Sequence, residues 1–162
     1  MAVHNYVRST QDLDLATAVM PSPVLGRVAD ELRRRGYDAE YTHPDMEDPL
    51  GGMIRITLSD DVSLDVVNFF NPWTVGAEPI VRDALTKARP VPESTLKVVP
   101  LAHLIGLKLY AAGNKSKNDV LELIRANPEL DLVSLRAFLA EHGLAEALDE
   151  VVGPPDGQTQ PG

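Results

Sequence analysis

Two alternating runs stand side by side near the middle of the chain. In Met53 to Ser59, the apolar residues Ile54, Ile56 and Leu58 alternate with polar ones, and Val62 to Phe69 follows at once. Asp60-Asp61 separates them. Period-2 runs split by a two-residue polar turn predict a β-hairpin, which commits this part of the chain to a sheet. Gln11 to Ala18 has the same period, with Asp12 and Asp14 on one side and Leu13 and Leu15 on the other, so it reads as a half-buried strand. Tyr37 to Thr42 is a further short strand. Between these two lies a helix. Ser22 is its N-cap, Pro23 its first residue, Val24, Leu25, Val28 and Leu32 its apolar stripe, and Gly36 its end. His43 to Gly52 is a polar turn, and Asn71-Pro72 ends the hairpin.

Beyond Pro79 the pattern changes to helical spacing. Pro79 to Arg89 has Ile80, Val81, Ala84 and Leu85 on one side. Leu96 to Val99 is a short strand. Pro100 then opens an apolar helix, Leu101 to Ala112, closed by Gly113. Asn118 to Ala126, Leu132 to Glu141 and Leu144 to Val152 are three more, separated by Asn127-Pro128 and Gly143. There is no internal repeat. Strands first and helices afterwards predict an α+β fold, a mixed β-sheet packed with helices and followed by a helical C-terminal part. The expected division is an α/β core over 1–99, a helical part of the same domain over 100–152, and a disordered Pro- and Gly-rich tail over 153–162.

Composition narrows the function. The 162 residues are 44% hydrophobic and 24% charged, enough for a real core. There is no cysteine, which excludes disulfides, thiolate metal sites and Cys nucleophiles. The net charge of −9 argues against coating double-stranded DNA. That charge is uneven. Glu141, Glu146, Asp149, Glu150 and Asp156 give the C-terminal stretch five acids and no Lys or Arg, which leaves residues 1–140 at −4. Lys108, Lys115 and Lys117 fall in a window without acids. Arg33 to Arg35 fit a helix end whose cations complement the dipole. No apolar run approaches the roughly 18 residues of a membrane helix, and the N-terminus has no signal-peptide pattern. A cytoplasmic protein that does not engage membranes is expected.

The chain has four acid-x-acid pairs: Asp12/Asp14, Asp38/Glu40, Asp45/Glu47 and Glu129/Asp131. The last three read as solvated surface. Asp12/Asp14 differs because both flanking residues are apolar, so the pair belongs to a strand anchored in a core. Two carboxylates at i and i+2 of a strand share a face and suit a hard divalent cation. A third acid, Asp65, lies inside the apolar run Ser63 to Phe69, an unfavourable place for a lone charge. A bound cation would account for it. So would an outward-facing position on an edge strand, or a pair with Arg55. Three acids on two strands with lysines downstream suit a metal–nucleotide site, the lysines acting as point charges on phosphates.

Arg8-Ser9-Thr10-Gln11-Asp12-Leu13-Asp14-Leu15 resembles the Arg-x-Thr-x-Asp-x-Asp-hydrophobic segment of nucleotidyltransferase-fold proteins, especially the bacterial AbiEii-toxin-like group of toxin–antitoxin and phage-defence systems. Leu104 to Ala111 is similar to that group's Leu-Lys-Leu-x-Ala helix. Lys115-Ser116-Lys117-Asn118-Asp119-Val120-Leu121-Glu122-Leu123 is similar to its Lys/Asp-containing segment before a helix. The three pieces cover roughly residues 1–125 in order. The resemblance implies a nucleotidyltransferase-like fold that moves a nucleotidyl group from a nucleoside triphosphate to a hydroxyl acceptor on RNA or protein. It implies Mg²⁺ or Mn²⁺ held by Asp12 and Asp14, with Asp65 as a further metal ligand or the group that activates the acceptor. Lys108 would bind phosphate, assisted by Lys115 or Lys117. Arg8, Ser9 and Thr10 are candidate substrate contacts, although Ser9 and Thr10 also fit as hydroxyls at a strand entrance. A cognate antitoxin is an implied partner.

One departure matters. The family carries a Gly-Gly or Gly-Ser turn about ten residues before the first Asp, at a helix start where backbone N–H groups meet phosphate. Only eleven residues precede Asp12, none of them glycine. The pair Gly51-Gly52 lies in the hairpin region and is no substitute. Met1 to Tyr6 looks like the stretch that follows the glycine turn, so one expectation is a natural start upstream, with Met1 internal. The other is a short form without the cradle that binds nucleotide or protein and does no chemistry. His4, His43, His103 and His142 have no ligand spacing and read as ordinary surface or core residues. Trp73 reads as packing a loop.

Overall fold

The computed structural model describes residues 12–59, 62–73, 79–111 and 114–154; the side chains of Asp12, Ser22, Asn114 and Lys115 fall outside that description. Arg8, Ser9, Thr10, the Asp60-Asp61 turn, Gly113 and tail residues 155–162 also lie outside the described residues. The fold is α+β. It forms two compact units, one containing residues 12–73 and the other residues 79–154. Among the described residues no helix is long and apolar enough to cross a membrane.

The first unit is a four-stranded sheet with one helix. Its elements are β1 (Asp12–Thr17), α1 (Pro21–Arg34), β2 (Asp38–Thr42), β3 (Met53–Ser59) and β4 (Val62–Asn68). The strand order is β1-β4-β3-β2, so β4 is internal and β1 and β2 are the edges. β1 runs parallel to β4, and the other pairs are antiparallel. One face of the sheet carries Leu15, Leu64, Val66, Ile54, Ile56, Ala39 and Tyr41. Leu25 and Ala29 of α1 pack against it.

Two expectations change here. α1 starts at Pro21, two residues earlier than the Ser22 cap predicts, with Met20 at the N-cap and no side-chain cap. Pro21 and Pro23 both sit in the first turn, where the missing N–H groups have no intrahelical partner anyway. Leu13 remains half exposed, although the alternation predicts it in the core. α1 lies over β2 and β3, which leaves the start of edge strand β1 uncovered. Beside it is a groove of about 620 Å³, lined by apolar residues including Val24, Val28, Leu58 and Leu64.

The second unit comprises α2 (Pro79–Lys87), β5 (Arg89–Pro90), β6 (Lys97–Val98), α3 (Leu101–Tyr110), α4 (Asn114–Ala126), α5 (Leu132–Glu141) and α6 (Ala145–Val152). Ile105, Leu109, Val120, Leu123, Leu135, Leu139 and Leu148 form its core. A Cβ at Gly106 would stand 2.8 Å from Ile80 Cδ1, so the missing side chain lets α3 approach α2. α4 begins four residues before the predicted Asn118. Its first turn has no apolar member, so hydrophobic spacing starts only at Val120. Lys115 and Lys117 therefore stand on the helix and not ahead of it. Strand β6 has a partner, β5, that the sequence did not announce.

Candidate functional site

The second face of the sheet carries the acids. β1 and β4 pair in register Asp12↔Ser63 and Asp14↔Asp65. β4 and β3 pair Asp65↔Arg55, and β3 and β2 pair Arg55↔Glu40. One rung across four strands therefore reads Asp14, Asp65, Arg55, Glu40. Neighbouring strands lie about 4.8 Å apart, so Asp14 and Asp65 are adjacent carboxylate positions. The strand position of Asp12 shares their face, two residues before Asp14.

Burial differs along the rung. Asp14 is exposed, whereas Asp65 is 5% exposed. Arg55 Nε donates to Asp65 Oδ1 at 2.9 Å, and Arg55 Nη2 donates to Asp65 Oδ2 at 2.7 Å. This two-pronged pair is the geometry in which a guanidinium binds a carboxylate most strongly. Of the three explanations for an acid inside an apolar strand, the structure shows the pair with Arg55. The edge-strand explanation fails, because β4 is internal. Among the described residues no group of three or more His, Asp and Glu side chains is arranged to hold a metal ion.

Asn68 fastens the two acid-bearing strands. It is the last residue of β4 and is fully buried. Its Oδ1 accepts from Val19 N at 3.0 Å, and its Nδ2 donates to Val19 O at 2.9 Å, just past the end of β1. The same Nδ2 also reaches Gly51 O and Phe70 O. Gly51 is required there, since a Cβ would stand 1.8 Å from Phe70 O. Gly52 has φ +91°. The one glycine pair in the sequence thus serves close packing beside Asn68.

The candidate lysines belong to the second unit and have carboxylate partners. Lys108 Nζ donates to Asp119 Oδ2 at 2.8 Å, with both side chains largely buried. The choice for Lys108 was between a phosphate ligand and a side chain reaching to solvent. In the structure its partner is Asp119 on α4. Lys117 Nζ donates to Glu150 Oε2 at 2.7 Å. Lys115 occupies the first turn of α4.

Of the other acid pairs, Asp45 Oδ1 accepts from Glu47 N and Asp48 N in a loop, and Asp131 caps α5. Those are structural roles, as expected of surface acids. Sequence reasoning missed one cluster. His103 and His142 stand 39 positions apart in sequence, yet both bring Nε2 to Asp83 Oδ2. No spacing rule joins residues on α2, on α3 and at the end of α5.

No protein-family model matches the chain, and no curated protein matches it in sequence.

Proposed function

We propose that the chain is a metal-dependent nucleotidyltransferase-like protein whose functional face is the Asp12, Asp14 and Asp65 side of the sheet. The observation that carries this reading is the register Asp14↔Asp65 between parallel strands, with Asp12 two residues before on the same face. The donors are hard carboxylate oxygens, which suit Mg²⁺ or Mn²⁺ and not a soft ion. Asp12 and the exposed Asp14 would hold the ion. Bound there, it would neutralise charge on the phosphate oxygens of a nucleoside triphosphate.

Arg55 defines what Asp65 does. With both oxygens on the guanidinium, Asp65 is held in a fixed orientation. It shapes the field of the site. Lys108 has its charge met by Asp119. The acceptor, an RNA or protein hydroxyl, and a cognate antitoxin belong to the same reading and rest on the sequence resemblance alone.

A second reading is a module that binds nucleotide or protein without turnover. It is favoured by the Arg55–Asp65 and Lys108–Asp119 pairs, which satisfy two expected site residues within the chain. Titration of Mg²⁺ with non-hydrolysable nucleoside triphosphates tests both readings. Wild type should bind only with metal present. Asp14→Asn should weaken binding at least about tenfold, a loss of roughly 1.4 kcal/mol, with unchanged circular dichroism. Asp45→Asn should bind as wild type. Binding without transfer from labelled nucleotide would select the second reading. No metal-dependent binding, or equal binding by Asp14→Asn, would sink the carboxylate site.

A further inference from the structure

The run Arg33-Arg34-Arg35 closes α1, and its three side chains do different things. Arg34 and Arg35 both pair with Glu31 on their own helix. Arg33 reaches off the helix. Its Nε donates to Ala39 O on β2 at 2.7 Å, and its Nη1 donates to Asp30 Oδ1 at 3.0 Å. Asp30 thus aims the guanidinium at the strand. Helix capping does not call for this reach. Glu31 O, Leu32 O and Arg33 O already accept from the backbone amides of Arg35, Gly36 and Tyr37.

The carbonyl that Arg33 takes points off the edge of the sheet. Phe69 N donates to Thr17 O, which turns the odd-numbered residues at this end of β4 toward β1. The even ones, Leu64 and Val66, then face β3 and bond with Ile56 and Ile54. Those two residues of β3 therefore turn away from β2. Opposite them stand Ala39 and Tyr41, whose backbone groups are directed outward. Outward N–H and C=O groups on an edge strand are a template for pairing with another chain. Ala39 is nevertheless only 5% exposed, and its outward carbonyl already holds a charged donor.

We propose that Arg33 is an edge guard, which closes β2 to strand pairing with a second copy of this chain. Two β2 edges brought together antiparallel would form a closed two-fold contact. That contact needs the outward groups of Ala39 and Tyr41 in both copies. Ala39 O becomes available only when its bond to the guanidinium breaks, and a charged donor makes that bond a strong one. Asp38 and Glu40, exposed on the same strand, add like-charge repulsion between the copies. Salt screens that repulsion, but it leaves a direct hydrogen bond in place. The two devices are therefore separable.

Sedimentation equilibrium of the whole chain in about 0.5 M salt isolates the guard. Arg33→Met keeps the aliphatic stem and removes the donor. It should self-associate at least about tenfold more tightly than wild type. Arg34→Met makes the same change of charge and side chain but leaves Ala39 O covered, so it should behave as wild type. Arg33→Lys, which restores a charged donor, should fall between the two. Hydrogen exchange on the associated Arg33→Met protein should show new protection at the amides of Ala39 and Tyr41. A folded Arg33→Met protein that associates no more than Arg34→Met would overturn the guard and leave Arg33 a tether between α1 and β2. So would association whose new protection falls away from β2. The wild-type protein supplies a readout that needs no variant to fold. Its Arg33 Nε–H should exchange with solvent at least about tenfold more slowly than that of Arg34, and equal rates would also overturn the proposal.

Discussion

Replacing Asn68 tests how the two acid-bearing strands are held together. The side chain is fully buried, with its acceptor on Val19 N and its donors toward Val19 O, Gly51 O and Phe70 O. Asn68→Ala strands the Val19 amide and loosens three carbonyls. At about 1–3 kcal/mol for each buried group left unpaired, and with the loop relaxing in part, we expect a loss of about 3–5 kcal/mol. That is a large share of the 5–15 kcal/mol typical of a domain. Asn68→Asp is the sharper probe. It keeps the shape and the acceptor for Val19 but turns its other oxygen toward three carbonyls. The folded state then requires the neutral acid, whereas the unfolded carboxyl titrates near 3.9. Its acidity is lowered by folding, so stability is full below about 3.9 and falls as pH rises, by about 1.4 kcal/mol per unit. Urea unfolding at pH 4, 5.5 and 7 measures this slope, with an unchanged denaturant dependence marking a true stability effect. An Asn68→Asp protein as stable as wild type at pH 7, or destabilised equally at all three pH values, would refute the hydrogen-bond account.

Two further perturbations are specific to single contacts. In Gly106→Ala the new Cβ would meet Ile80 Cδ1 at 2.8 Å and Leu139 Cδ2 at 3.3 Å. Overpacking of about 1–3 kcal/mol exceeds the helix-propensity gain of about 1 kcal/mol, so the variant should be less stable in thermal unfolding. In an Ile80→Ala background, which lacks both that Cδ1 and the Cγ1 that would stand 2.9 Å from the new Cβ, the same change should cost less. The Asp131 carboxyl lies below its ordinary value of 3.8 because Ser134 Oγ and Val133 N donate to it. Its contribution as the cap of α5 is full above about 3.8 and is lost as pH falls through the lowered value. Asp131→Ala should therefore be less stable than wild type at pH 7 by chemical denaturation, and the gap should close in strong acid.

The sheet was readable because its strands carry period-2 alternation and lie on one helix-covered face. Met53–Ser59 and Val62–Asn68 appear where the hairpin pattern puts them. α5 runs over Leu132–Glu141 as its apolar spacing and Gly143 imply. The misses share a cause, which is that local spacing says nothing about polar turns or distant partners. α4 gained a polar first turn that no hydrophobic periodicity marks. Leu13 alternates like a core residue, yet α1 crosses toward β2 and leaves it uncovered. In the candidate site, the i, i+2 relation of Asp12 and Asp14 was visible along one strand. The neighbour relation of Asp14 to Asp65, and the pairing of Asp65 with Arg55, depend on register between strands. The His103–Asp83–His142 cluster depends on how three helices pack, so nothing in the sequence signals it.

The central claim is that the Asp12/Asp14/Asp65 face takes a divalent cation. Paramagnetic Mn²⁺ titrated into isotope-labelled protein, with a non-hydrolysable nucleotide present, reports this residue by residue. The account predicts selective broadening of the amides of 12–16 and 63–67 at low ratios of Mn²⁺ to protein. Mg²⁺ should reverse the broadening, and Asp14→Asn should abolish it while the spectrum elsewhere is unchanged. Broadening centred on the exposed acids near Asp45 and Glu47, with the rung untouched, would contradict it.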